Sequence, residues 1–133
     1  MRTRELQDDV VAILGDFIQR HHFTLSNRAI GPNSAVDLEK DSLVMTIVRE
    51  KGEELIFVHS KVRPRPRAHL RTYHVGALTA FIQGRADPYP LRDFQRDAED
   101  LLKYEEQCLS VSLLNSEDLR QWQIKASRLQ SKQ

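Results

Sequence analysis

The chain has 133 residues, of which 29% are charged and 40% hydrophobic, and its formal net charge is +1. That length suits one core and is short for two, and the composition lies far from that of disordered chains. A near-neutral sum excludes a protein that coats nucleic acid along its whole length, and the single Cys108 excludes an intramolecular disulfide.

The expectation is a single α+β domain over 1–133, its last few residues frayed. The lone cysteine favours a reducing, cytoplasmic setting. The N-terminus has no apolar signal core, and no window approaches the roughly 18 apolar residues that span a bilayer, so no membrane partner is expected.

Leu6, Val10, Ile13, Leu14, Phe17 and Ile18 recur at three- and four-residue spacing, with Val11 alongside. They predict an amphipathic helix from about Arg4 to about Arg20, with Thr3 as its N-cap. His21-His22-Phe23 ends it, and Gly31-Pro32-Asn33-Ser34 reads as a loop. The period then changes from 3.6 to 2. Val36 and Leu38 alternate with Asp37 and Glu39, Asp41-Ser42 is a turn, and 43–48 is a second strand. Lys51-Gly52 reverses the chain into a third strand over 55–58. The second and third strands are apolar at both parities, and a strand apolar on both sides must be covered on both sides. Helices on both faces would meet that demand, as would helices on one face and a partner or sheet edge on the other.

Residues 61–71 follow, carrying Lys61, Arg63, Arg65, Arg67 and Arg71 with Pro64 and Pro66 between them. The residue before a proline is biased toward extended backbone, so this is a stiff connector. Tyr73, Val75, Leu78, Phe81 and Ile82 mark a short helix closed by Gly84. A longer helix runs through Leu91, Phe94, Ala98, Leu101, Leu102, Cys108 and Leu109. Asn115 or Ser116 caps a last one with Leu119, Trp122, Ala126 and Leu129. The predicted fold is therefore a three-stranded antiparallel meander packed with about four helices, in the order α-β-β-β-α-α-α.

Charge is blocked along the chain. Residues 59–96 carry eight basic groups against Asp87 and Asp93, whereas 97–118 hold Lys103 against seven acids. Arginines two residues apart on an extended segment point to a common side, and their forked donors suit carboxylate or phosphate oxygens. Lys61, Arg63, Arg65, Arg67 and Arg71 are thus the candidate partner-binding residues. The alternative is internal neutralisation by the acids around Glu99, Asp100, Glu105 and Glu106. Aromatics, which single-strand binders use for stacking, are scarce here, only Tyr73 being close. A protein partner with an acidic surface is accordingly favoured over nucleic acid.

No catalytic, cofactor or metal constellation is legible. His21, His22, His59, His69 and His74 form no helical i, i+4 pair beside a carboxylate, and Cys108 has no second cysteine. The spacings Arg63 to His69 and Arg67 to His74 resemble that of the HEPN ribonucleases, which are helical bundles without a meander. Asp37, Glu39 and Lys40 resemble fragments of the PD-(D/E)xK nuclease pattern, but no lysine has an acid two residues before it. The five glycines make no phosphate-cradling loop. A small nuclease-like enzyme, its site assembled from scattered residues, remains the third reading.

In its order of elements, an N-terminal helix, a meander ending in Leu55-Ile56-Phe57-Val58 and a helical C-terminal half, the chain resembles small bacterial α+β proteins. Some of these are immunity proteins that neutralise a toxin. The resemblance implies a non-enzymatic inhibitor that binds one protein, with charge complementarity speeding association.

Overall fold

Helix α1 (Thr3–Arg20) forms where four-residue apolar spacing directs one face inward. Leu6, Val10, Leu14 and Phe17 lie on that face and are buried, while Val11 is exposed. The computed structural model describes residues 3–30, 33–50, 53–61, 72–84 and 94–131. The end of α1 is a Schellman turn. The Phe23 N–H bonds the Ile18 carbonyl at 3.0 Å and the His22 N–H bonds that of Gln19 at 3.2 Å. His22 occupies the left-handed position, with φ 59°. The turn folds Phe23 back so that its ring stacks on Phe17, 5.5 Å between centroids.

The chain then enters an antiparallel sheet of order β1-β2-β3-β4-β5. Its strands are β1 (Thr24–Ile30), β2 (Asn33–Lys40), β3 (Leu43–Glu50), β4 (Glu53–Ser60) and β5 (Thr72–His74). Lys40 and Leu43 are paired, so Asp41 and Ser42 form a two-residue loop. Asp41 takes the positive φ (36°) that such a loop requires, which Asp tolerates better than most residues. Helices α2 (Val75–Ile82), α3 (Phe94–Lys103), α4 (Glu105–Cys108), α5 (Val111–Leu114) and α6 (Glu117–Ser131) follow. Gly84 ends the α2 turn with φ 75°, and the Ser116 hydroxyl caps α6 by accepting from the Leu119 N–H at 3.2 Å.

The α+β class and the antiparallel meander hold, but the counts differ. Five strands and six helices stand among the described residues, against the three and four expected. Strand β1 has few apolar residues to show a period, because it lies at an edge of the sheet. Asn33 and Ser34 belong to β2 rather than to a loop. Strand β5 has three residues, too few for a period, so Tyr73 lies in a strand and not in the following helix. The single helix expected over 91–109 is broken at Tyr104 (φ −114°, ψ 37°) into α3 and α4. Helix α5, with its own cap from Ser110, was not expected.

One hydrophobic cluster joins the helices to one face of the sheet. Val36 and Leu38 of β2, Leu43, Met45 and Ile47 of β3, Ile56 and Val58 of β4, and Tyr73 of β5 enter it. They pack with Leu6, Val10, Leu14 and Phe17 of α1, Leu78 of α2, Phe94 and Leu101 of α3, and Leu119 of α6. Polar side chains on the same face agree with this placement: Asn27 donates to Gln7 of α1, and Arg49 pairs with Asp9.

Candidate interaction surface

The other parity of the strands builds a second face. The register sets it out in rows. Ser26, Asp37, Thr46, Phe57 and His74 form the middle row. Thr24, Glu39, Val44, His59 and Thr72 lie on one side of it, and Ala35, Val48 and Leu55 on the other. Val44, Val48, Leu55 and Phe57 are half-buried and, among the described residues, stand outside the core cluster. Among the described residues, the helices therefore stand against one face of the sheet, while Ala35 and Thr46 on the other are also buried.

Two pairs of polar groups meet on this face. The Thr46 hydroxyl donates to Asp37 Oδ1 at 2.7 Å. Lys61, just past β4, donates from Nζ to Glu39 Oε2 at 2.9 Å. Burial holds the His59 imidazole below its usual pKa; neighbouring Lys61 adds to the effect, and Asp37 and Glu39 oppose it. A shallow recess lined by Thr24, Ser26, Glu39, Lys40, Asp41 and Lys61 lies at the corner where Lys61 meets β2.

Of the five basic candidates, Lys61 is the one placed here. Its backbone N–H bonds the Ser42 carbonyl at 2.6 Å, which sets the start of the connection against the β2–β3 turn. Arg63, Arg65, Arg67 and Arg71 lie outside the described residues. Their connection leaves β4 after Ser60 and re-enters at Thr72, the partner of His59, so both of its ends belong to one end of the sheet.

Several of the acids that could have neutralised those arginines are engaged elsewhere. Glu105 Oε1 accepts from Arg20 Nη1 at 2.6 Å and from His21 Nε2, and these bonds hold its carboxyl below the ordinary 4.5. Glu99 accepts from Gln95 at 3.1 Å. Asp97, wholly buried, accepts from His74 Nε2 at 2.9 Å and from the Ile56 N–H at 3.4 Å. The β4 N–H at Ile56 lies beyond the last residue paired with β5, so the Asp97 carboxylate takes up a donor the sheet leaves over.

The histidines are dispersed: His21 with Glu105, His22 at the turn, His59 on the second face of the sheet and His74 on Asp97, His69 lying outside the described residues. No group of three or more His, Cys, Asp or Glu among the described residues could hold a metal ion. Nor is any helix among them long and apolar enough to cross a membrane. Trp122, expected to anchor the stripe of the last helix, is half-buried with its ring edge-on to Phe81 at 6.0 Å.

These features define an α+β protein whose antiparallel meander is backed by helices on one face. No family model matches the chain, and neither a curated protein nor a solved structure matches it.

Proposed function

We propose that this protein is a non-enzymatic protein-binding module, of the immunity or regulatory-inhibitor type, that meets an acidic protein surface through Lys61, Arg63, Arg65, Arg67 and Arg71. The observation that carries the reading is the pairing of Glu105 with Arg20 and His21. Part of the acidic block opposite in sign to the 61–71 connection is thereby committed to other partners. A concentrated cationic segment between adjacent strand ends steers an acidic partner at long range and forks onto its carboxylates on contact.

Co-purification at low salt, with and without nuclease, tests it. An acidic protein retained after nuclease treatment, and lost when Arg63, Arg65 and Arg67 are changed to Glu, is the expected result. Retention of nucleic acid alone, with a steep salt dependence, would instead mean phosphate binding by the same segment.

A further inference from the structure

We infer that the outer edge of β1 is a self-association surface, on which two copies of the chain pair their β1 strands antiparallel about a twofold axis at Asn27, making one continuous sheet. This edge lies across the sheet from β5, and the inference stands independently of the 61–71 connection.

Strand β1 ends the sheet order, and among the described residues no strand pairs with its outer edge. Thr24, Ser26 and Asn27 are exposed. All seven residues of the strand pair with β2 without a bulge, and it holds no proline and a single charged residue, Arg28. An edge with so few blunting devices recruits another strand, because its outward N–H and C=O groups lack partners. The opposite edge is covered where β5 stops, since Asp97 takes the Ile56 N–H there.

The register fixes which groups of β1 face outward. Lys40 and Leu43 close a two-residue loop, and a pair in that position exchanges both backbone bonds. Bonding alternates along a strand, so Lys40 and Leu38 bond β3, whereas Glu39 and Asp37 bond β1. Their partners Thr24 and Ser26 therefore face β2, and Leu25, Asn27 and Ala29 turn their N–H and C=O groups out. Carried on to β4, the same alternation turns the Ile56 N–H away from β3, as its bond to Asp97 requires.

The outward set is centred on Asn27, the middle residue of the strand, and this makes the edge self-complementary. With Asn27 opposite its own copy, Leu25 meets Ala29 twice and the whole strand overlaps. Each of these pairs exchanges both of its bonds, and Arg28 lies opposite Ser26. An axis one residue away, at position 26 or 28, shortens the overlap, and at 28 it opposes Arg28 to itself, a like-charge pair.

Helix α1 selects a second copy over a lone extended peptide. Gln7 reaches Asn27 from one flank of the helix, and Asp9 pairs with Arg49 of β3 from the other. At about 100° per residue, Val11 and Ile18 stack one and three turns beyond Gln7, on the same flank toward the β1 edge. Val11 is 48% exposed there, and Ile18 is half-buried. A peptide strand added to β1 would leave this flank uncovered. The twofold, normal to the sheet, brings the second copy's α1 to the same face and sets the two flanks toward each other.

Seven residues of strand run about 23 Å. With a helix layer about 10 Å thick above it, the contact stands about 15–20 Å tall. The resulting area of roughly 400 Å² per partner is below the ~800 Å² of a standard interface and fits a weak, micromolar dimer.

Sedimentation of the full chain from about 1 to 100 μM, a range spanning micromolar affinity, should show a monomer passing to a dimer. Residue-resolved hydrogen exchange of the unaltered protein should find the Leu25, Asn27 and Ala29 amides slowed several-fold at the high end. Those of Ser26 and Arg28, bonded to β2, should change little. Asn27→Pro removes an outward donor and leaves the bonds to β2 in place, as edge strands tolerate. Checked for folding by circular dichroism, it should weaken the dimer by more than about tenfold. Asn27→Ala, which loses the same side-chain bond to Gln7, should weaken it far less, and Val11→Lys by an intermediate factor. A wild-type chain that stays monomeric throughout overturns the inference, even where the edge takes an extended peptide from another protein. So does a dimer whose Leu25, Asn27 and Ala29 amides exchange equally at both concentrations, and that pattern decides the matter where a variant fails to fold.

Discussion

The imidazole of His74, at the end of β5, donates from Nε2 to Oδ2 of Asp97 at 2.9 Å, and the Asp97 carboxylate is wholly buried in the first turns of α3. The same oxygen takes the Ile56 N–H of β4, so one side chain ties α3 to the edge left by a three-residue strand. Removing Asp97 takes the acceptor from the Ile56 N–H, and removing His74 takes one donor from a wholly buried carboxylate. Asp97→Ala should cost about 2–4 kcal/mol and His74→Ala about 1–3 kcal/mol. Urea unfolding measures both, and in the double variant the two losses should fall well short of adding.

Glu105 ties α4 to the end of α1, and its folded-state pKa is held below 4.5 chiefly by the Arg20 bond, with His21 assisting. A depressed carboxyl pKa means that the unfolded chain takes up the proton first as acid is added. The contribution is therefore whole above the unfolded value and is lost as pH falls through the folded one. Urea midpoints measured from neutral pH down through the carboxylate range should fall less steeply in Glu105→Gln than in the unaltered protein. Parallel slopes would show that the contact has no stabilising part.

His22 holds φ 59° at the end of α1, and its side chain is exposed. A β-carbon in that region costs about 1–2 kcal/mol, partly offset in glycine by the freer unfolded chain. His22→Gly should therefore raise stability by about 0.5–1 kcal/mol, and His22→Val should lower it. Thermal melts of the two variants should move in opposite directions.

Cys108 lies in the core, and burial pushes its thiol up to about 12. At about pH 8 it should resist a thiol reagent such as DTNB in the native protein and react in full once denaturant unfolds the chain. Rapid native labelling would be incompatible with the packing of α4 described here.

Much of the local structure is legible in the residues alone. The spacing of Leu6, Val10, Leu14 and Phe17 marks α1, the alternation of 36–39 marks β2, and Gly84 and Ser116 mark a helix end and a helix start. These are interactions within a few residues of one another, so composition and spacing carry them. Strands β1 and β5 escape that reading because each is held by its neighbour rather than by its own pattern. Leu25 and Ile30 are too sparse to show a period, and Thr72–His74 is too short. Of the basic candidates, Lys61 proves to be paired with Glu39, a contact made across β3 between the end of β4 and β2 that no local motif announces.

By itself, then, the sequence determined the α+β class, the central meander, two helix boundaries and the presence of two-sided apolar strands. Only the tertiary structure decided which side of those strands meets the helices. It also decided that Glu105 takes Arg20, 85 residues away, and that Asp97 takes His74 and the Ile56 N–H. The reason is physical. A backbone period or cap is specified by neighbours along the chain, whereas a charged side chain's partner is whichever opposite group packing brings within hydrogen-bond reach.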